Sequence, residues 1–283
     1  MLAAVFYHDI FDYPLTAREL IKWQAGEKIN IDKKIIVDSK KGFYFLRDSR
    51  GLITKRLLRK RFSAQKMKKA RKAGKILNFI PTIKMVGVTG ALAMENAPQE
   101  ADIDLLFITQ KGFLWTSRLI VLLLLKLTRF PLRKFGDKQQ KDKLCLNMWI
   151  DERDLVWPAN DRNAYTAHEI AQIIPLINRD NAYEKLIWKN RWILDYWPSA
   201  VRIPKVNFRN QKSKSKSENP SNPVLKASFL PMASFLSKLI EPVAYRLQYL
   251  YMKKKITREV VTPTRAIFHP YDWGNIVRSR LTS

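Results

Sequence analysis

Two aspartates separated by one residue are the part of this sequence best suited to chemistry. Asp102 and Asp104 flank Ile103 at the start of an apolar segment, Ile103 to Thr109, which has the composition of a buried strand. Alternate residues of a strand point to the same face, so both carboxylates face one side while Ile103 faces the core. Carboxylate oxygens are the ligands that Mg²⁺ and Mn²⁺ prefer. The spacing therefore predicts a divalent-metal site at Asp102 and Asp104, which are also the candidate catalytic residues.

A glycine turn precedes the two aspartates. A β-branched strand is expected from Ile83 to Thr89, a helix is expected to begin at Gly90, and Gly90 lies twelve residues before Asp102. A glycine lets a phosphate approach the backbone, and the N–H groups at the start of a helix face an anion. Thr89, Gly90 and Ala91 are therefore candidate nucleotide-binding residues.

This strand–glycine–helix unit followed by Asp-Ile-Asp resembles the polymerase-beta-like nucleotidyltransferase superfamily over residues 83–151. The signature of that family is a glycine followed by serine or glycine, then about ten residues, then Asp-apolar-Asp on a strand. The resemblance implies a mixed sheet flanked by helices, with the two acids binding Mg²⁺ and the glycine turn holding the triphosphate of a nucleoside triphosphate (NTP). It implies transfer of a nucleotidyl group from the NTP to an acceptor that the sequence does not identify.

The chain departs from the family pattern at two positions. Ala91 follows the glycine, so a hydroxyl contact to phosphate is missing. The family's third carboxylate lies on a neighbouring strand, and alternation along 144–150 puts Asn147 in that place, with Asp151 too far along. An asparagine ligates metal through its carbonyl oxygen but does not act as a base. Asn147 is therefore a third candidate metal ligand, and the alternative function is a non-catalytic protein of this fold that binds a nucleotide or a nucleic acid.

The charge balance also favours an anionic partner. The chain has 52 Lys and Arg against 25 Asp and Glu, a net charge of +27, and such an excess repels itself unless it is neutralised. Residues 52–79 are expected to form one helix that carries eleven of the cations and no acid. Its two interpretations are a solvated connecting helix and a surface that follows the phosphates of a nucleic acid. Under the second, the candidate phosphate contacts are Lys55, Arg59, Lys66, Lys69 and Arg71.

The remaining elements suggest an α+β protein with an α/β core. Residues 1–50 resemble a winged helix, with a capping box at Thr16, a short third helical turn at 30–34, and strands at 35–37 and 43–46 around a turn at 38–42. Residues 51–200 form the core with its basic helix and trailing helices, expected at 165–177 and 182–197. Residues 201–224 are expected to be a disordered linker, and 225–283 an amphipathic helix (225–252) with an extended tail that folds back on the body.

Other signals are weaker. His168 and Glu169 are expected to be a structural pair, because no second histidine completes a metal motif, and Glu95 and Glu100 are ordinary loop acids or outer contacts of the site.

The most apolar run, Leu119 to Leu125, is far shorter than the roughly 20 residues of a membrane span, so no integral span is expected. A second alternative is a basic peripheral membrane protein that uses helix 225–252. The single cysteine excludes an internal disulfide and suggests the cytoplasm.

Overall fold

The structure, a computed structural model, describes residues 2–29, 36–46, 51–134, 136–203, 239–254, 256, 259–268 and 273–282. Within these residues a six-stranded mixed sheet and a three-stranded antiparallel sheet are combined with helices, which confirms the predicted α+β class. The helices are α1 (Leu2–Asp9), α2 (Ala17–Lys22), α3 (Leu52–Leu77), α4 (Gly90–Ala93), α5 (Leu114–Leu127), α6 (Ala164–Ala171), α7 (Ala182–Lys189), α8 (239–253) and α9 (Trp273–Thr282). The strands are β1 (Leu15–Thr16), β2 (Val37–Lys40), β3 (Phe43–Leu46), β4 (Ile83–Val88), β5 (Ile103–Thr109), β6 (Leu144–Asp151), β7 (Ile174–Asn178), β8 (Val260–Val261) and β9 (Arg265–Ile267).

The large sheet has the order β7-β4-β5-β6-β9-β8. Strands β5 and β6 are parallel, and the other neighbours are antiparallel. The three predicted strands β4, β5 and β6 lie side by side in the middle, where nearly every side chain of β5 is buried. Burial on both faces explains why these strands are continuous apolar runs instead of alternating patterns.

The trailing helices predicted at 165–177 and 182–197 are both wrong in part. Helix α6 ends at Ala171, and the next apolar residues form β7, an edge strand paired with β4. Pro175 has no N–H to donate, so it suits an edge strand better than a helix interior. The second segment stops being α-helical at Lys189, because the buried side chain of Asn190 bonds to the backbone of Leu155, Trp157 and Leu186. A 3₁₀ turn, Arg191–Asp195, follows.

The N-terminal residues place two helices against a small sheet of order β1-β3-β2. The capping box predicted at Thr16 is confirmed, since Glu19 and Thr16 bond to each other's backbone N–H. The hairpin is shifted from its prediction: residues 38–40 belong to β2, and only Lys41 and Gly42 form the turn, both with positive φ. A two-residue turn of this kind fits the right-handed twist of the strands. The third helical turn predicted at 30–34 lies outside the described residues, so the winged helix stays a prediction.

The N-terminal unit shares its hydrophobic core with the later helices. Trp23 stacks on His168 of α6 with ring centroids 3.9 Å apart, and it meets Trp197 edge-on at 5.8 Å. His8 donates from Nδ1 to the carbonyl of Ala4 at 2.7 Å, so its Nε2 accepts from Nε2 of His168 at 3.1 Å. Each large side chain buried here contributes about 1.5–3 kcal/mol. This shared core fixes α1 against α6, and both helices reach the site described below.

The C-terminal residues are bound to the core at two places. Glu241 of α8 accepts the backbone N–H groups of Trp115 and Thr116, at 2.6 and 2.9 Å, and so caps the first turn of α5. Strands β8 and β9 extend the sheet beyond β6, which confirms that the tail folds back on the body. Most of the predicted linker 201–224, and the first part of helix 225–252, lie outside the described residues. Among the helices that the structure describes, none has the length and apolar character needed to cross a membrane.

Candidate metal centre and ligand cavity

The two aspartates meet at the start of β5. Asp102 precedes the strand and Asp104 is its second residue, and the parallel pairing places Asp104 beside Cys145 of β6. One carboxylate oxygen from each aspartate and the Cys145 sulfur all lie within 4.8 Å of one another. The convergence predicted from the Asp-x-Asp spacing is therefore confirmed, and this cluster could hold a metal ion.

The Gly90 turn faces these acids, as the spacing predicted. The backbone N–H of Thr89 donates to the carbonyl of Asp104 at 3.1 Å, and Gly90 has φ +61°. A Cβ at position 90 would lie 2.8 Å from Oδ2 of Asp104, so a glycine is needed both for the backbone angle and for the space. Thr89 is buried, and Ala91 is exposed at the first turn of α4.

Asn147 of β6 contacts the same carboxylate. Its Nδ2 donates to Oδ1 of Asp104 at 2.8 Å, while its own Oδ1 has no hydrogen-bond partner although the residue is only 3% exposed. Asp151 lies at the other end of β6, as predicted, where it accepts hydrogen bonds from Gly112 and Arg153. The β6 side chain in the place expected for a third carboxylate is therefore an amide with an unpartnered carbonyl oxygen.

Arg133 is a site residue that the sequence did not reveal. Its Nη1 lies 2.6 Å from Oδ2 of Asp102 and 3.6 Å from the Cys145 sulfur. Desolvation and the neighbouring Asp102 raise the pKa of Asp104 to about 7, against the opposing effects of the Cys145 hydrogen bond and the Arg133 charge. Burial and the two aspartates also raise the pKa of the Cys145 thiol well above its usual range, so the sulfur stays protonated at neutral pH.

Glu169 is the second site residue that the sequence did not reveal. His168 is a satisfied core residue bonded to His8, as expected of a structural pair, but Glu169 contacts the Gly90 turn of the site. The Glu169 carboxyl group accepts the backbone N–H of Gly90 and a hydrogen bond from Gln172. Desolvation and the charge of Asp104 raise the pKa of Glu169 to about 8. The amide that was expected to face a phosphate therefore faces a carboxyl group of the protein.

A cavity of about 500 Å³ opens beside these residues. One wall is aromatic: Phe11, Tyr165 of α6 and Trp273 pack together with ring centroids 5.8 to 6.5 Å apart, and their rings are tilted by 27° to 46° from one another. Three buried polar atoms of lining residues have no partner among the described residues. They are the Tyr7 hydroxyl, Oδ1 of Asn147 and Oε1 of Gln172. Buried polar groups are almost always hydrogen-bonded, so the lining is suited to a ligand with both a flat ring and polar groups.

The structure gives intramolecular partners to most of the predicted phosphate contacts on α3. Lys55 pairs with Asp12 at 2.5 Å, and Arg59 bonds to Asn96 and the carbonyl of Phe11. Lys66 is 1% exposed and donates to Gln99, Ala101 and Asp142, and Lys69 also pairs with Asp142. Arg71 is the exposed exception. The loop acids Glu95 and Glu100 pair with Lys60 and Lys141, at 3.4 and 3.2 Å, so both have partners on the surface.

Comparison of the chain with protein-family models, with curated proteins and with solved structures finds no match.

Proposed function

We propose that this protein binds an NTP together with Mg²⁺ or Mn²⁺ and transfers a nucleotidyl group to an acceptor hydroxyl. The observation that supports this most is the convergence of Asp102 and Asp104 opposite the Gly90 turn, at the edge of a cavity with an aromatic wall. Paired carboxylates at the edge of a cavity are suited to clamping a phosphate through a divalent cation. The resemblance to the polymerase-beta-like superfamily favours the same reaction.

The donor set fits a hard cation. Asp102 and Asp104 supply carboxylate oxygens, and the unpartnered Oδ1 of Asn147 supplies an amide oxygen once the side chain turns toward the cation. Cys145 adds only one soft sulfur to this set, and a hard cation prefers oxygen ligands to sulfur. An oxygen-dominated site favours Mg²⁺ or Mn²⁺ over softer metals. When bound, the cation would neutralise phosphate charge and orient the phosphate oxygens.

The protein's own residues would hold the rest of the nucleotide. The Arg133 guanidinium lies at the acids and is long enough to turn toward a phosphate, which it binds in a fork geometry. The aromatic wall formed by Phe11, Tyr165 and Trp273 offers ring faces on which a base can stack. Residues from the N-terminal unit and from the C-terminal helix α9 thus complete a cavity built on the central sheet.

A second candidate function is nucleotide binding without transfer. The observation that favours it is Asn147, which lies beside Asp104 where a third carboxylate is expected, and which accepts no proton from an attacking hydroxyl. The two candidates share the metal and nucleotide site, and they differ only in whether a transferred product forms.

Calorimetry with each of the four common NTPs and Mg²⁺ tests the shared part of both candidates. Wild type should bind at least one NTP, and Asp102→Asn combined with Asp104→Asn should abolish this binding, because hard cations depend on carboxylate charge. Glu100→Gln is the matched control for one lost charge two residues from Asp102, and it should bind like wild type, since Glu100 pairs with Lys141 on the surface. Absence of NTP binding in wild type, or binding that survives the double substitution, would overturn the proposal.

Incubation with labelled NTP, Mg²⁺ or Mn²⁺ and total RNA separates the two candidates. Label transferred to an acceptor, and lost in Asp104→Asn, identifies the transferase. Tight NTP binding with no transferred label identifies the binder. Asn147→Asp sharpens the comparison: a transferase should keep or gain turnover, whereas a binder should gain metal affinity alone.

A further inference from the structure

The eleven cations of α3 fall into two groups. Six have an acidic partner within 4 Å elsewhere in the chain: Lys55, Arg56, Arg59, Lys60, Lys66 and Lys69. The other five are exposed and form no ion pair with any described residue: Arg61, Lys68, Arg71, Lys72 and Lys75. The acids of the fold therefore neutralise one group, and the charge of the other is left to solvent or to a partner.

The five unpaired cations lie on one face of the helix. Relative to Arg61 they occur at positions i+7, i+10, i+11 and i+14, and at 100° per residue these positions fall within an arc of about 100°. At a rise of 1.5 Å per residue the group spans about 21 Å along the helix axis. We call this group the basic stripe. No acid occurs anywhere in α3, so the like charges are not offset by pairs along the helix.

An exposed aromatic side chain stands at the end of the basic stripe. Phe79 follows Lys75 by four residues, just after the helix ends, and it is 85% exposed. Leaving so large an apolar ring in water is unfavourable, and lone exposed aromatic rings beside cations are the groups on which unpaired bases stack.

We infer that the basic stripe and Phe79 form a binding surface for single-stranded nucleic acid. The cations contact the phosphates, so binding does not depend on the base sequence. Five cations over about 21 Å match the phosphates of a few nucleotides, and the partner must be anionic to complement a face without acids. A single strand fits better than a duplex, because its bases are free to stack on Phe79. This surface involves none of the residues of the metal site, so the inference stands independently of the proposed function.

Fluorescence anisotropy with a fluorescein-labelled 20-nucleotide oligo-U, measured from low to moderate salt, tests the surface. Replacing all five cations of the basic stripe by Gln should weaken binding at least about tenfold at about 0.1 M salt. It should also reduce the slope of log affinity against log salt by about 3.5, since each of the five contacts to a single strand contributes about 0.7. The matched control removes five exposed lysines elsewhere: Lys40, Lys41, Lys111, Lys138 and Lys254, each changed to Gln. It should change affinity much less, because non-local charge is screened beyond about 10 Å.

Phe79→Leu tests the aromatic contact separately. It keeps an apolar side chain but removes the stacking surface, so the affinity should fall about tenfold while the salt slope stays unchanged. Equal loss of binding in the five-lysine control would overturn the inference, because net charge alone would then explain it. The inference would also be overturned if oligo-U binding survived the loss of the basic stripe. It would be overturned too if the stripe were needed for binding to vesicles of phosphatidylcholine with phosphatidylglycerol but not for binding to oligo-U.

Discussion

The guanidinium of Arg133 donates to the carboxylate of Asp102 at 2.6 Å, in the cluster that could also hold a metal ion. Two carboxylates whose oxygens lie within 4.8 Å of each other would repel one another without a neighbouring positive charge. Arg133 supplies that charge, and a bound cation would supply it equally well. Under the proposed function, Arg133 and a bound cation would compete for Asp102, and a nucleotide phosphate would give the displaced guanidinium a new partner.

Replacing Arg133 should separate metal binding from nucleotide binding. Arg133→Met removes the competing charge but keeps much of the apolar stem, so Mg²⁺ or Mn²⁺ alone should bind about tenfold more tightly. The NTP–metal complex should bind more weakly, because its phosphates lose a charged hydrogen-bond donor worth roughly 1.5–3 kcal/mol. Calorimetry with metal alone and with metal plus NTP measures both effects. Lys134→Met removes the same charge from the exposed neighbour and should alter neither. A fall in metal affinity in Arg133→Met would contradict the idea that Arg133 and the cation compete for Asp102.

Metal binding should also depend on pH through Asp104. The pKa of this carboxyl group is raised to about 7 by desolvation and by Asp102, so below pH 7 a proton must leave before the cation binds. Affinity for Mg²⁺ should therefore rise from pH 6 to 8, by up to about tenfold per pH unit on the acid side. Calorimetry in buffers of different ionisation enthalpy should detect about one released proton at pH 6 and almost none at pH 9. A flat affinity over this range would show that Asp104 does not carry the linked proton.

Gly90 offers a test of the contact between the turn and Asp104. Gly90→Ala places a Cβ 2.8 Å from Oδ2 of Asp104 and forces an L residue to φ +61°, so it should both destabilise the fold and displace the carboxylate. Gly42→Ala is the control, because Gly42 has φ +77° with no atom within 4 Å of the added Cβ. Each should cost about 1–2 kcal/mol of unfolding free energy from the backbone alone. Only Gly90→Ala should also lose metal affinity, and equal metal binding in the two variants would contradict the contact.

The parts of the site that could be predicted are local in the sequence. Asp102 and Asp104 are two residues apart and Gly90 lies twelve residues before Asp102, so strand alternation and a single turn determine how they meet. The position of Asn147 near the two acids was predicted from the same alternation of side chains along β6. Arg133 and Glu169 could not be found this way, because each reaches the acids from a segment with no pattern that ties it to them. Their positions depend on how distant elements pack.

The same distinction explains the errors in the fold. The apolar run from Ile173 to Ile177 fits a helix or a buried strand, and only its pairing with β4 decides between them. The basic residues of α3 were evident from composition, but which of them face the protein depends on acids far away in the sequence. Lys66 was predicted to contact phosphate, and it is instead buried against Ala101 and Asp142.

The buried pair His8 and His168 should make the fold sensitive to acid. Desolvation lowers the pKa of His8 to about 4 and that of His168 well below its usual value, so both are neutral in the fold and take up protons on unfolding. Stability from this pair is present above about pH 6.5 and is lost as the pH falls, by up to about 1.4 kcal/mol per pH unit for each histidine. Asp104 and Glu169 act in the opposite direction, so the measurement needs Asp104→Asn with Glu169→Gln as background. In that double variant, the free energy of unfolding measured with urea should fall between pH 6.5 and pH 5. Adding His168→Gln should halve the slope of this free energy against pH.

Glu169 should control nucleotide binding at alkaline pH. Its carboxyl group takes the N–H of Gly90 that a phosphate oxygen would otherwise use, and desolvation raises its pKa to about 8. Below pH 8 the group is neutral and tolerates a phosphate nearby, whereas above pH 8 it ionises and repels one. Affinity for the NTP–metal complex should therefore fall by up to about tenfold per pH unit above 8. Glu169→Gln keeps the shape and cannot ionise, so its affinity should match wild type at pH 7 and exceed it at pH 9. Glu184→Gln is the control for a lost carboxylate elsewhere, since Glu184 contacts Asn178 at the surface, and it should follow wild type throughout. An alkaline loss of affinity that persists unchanged in Glu169→Gln would show that this carboxyl group does not face the phosphate.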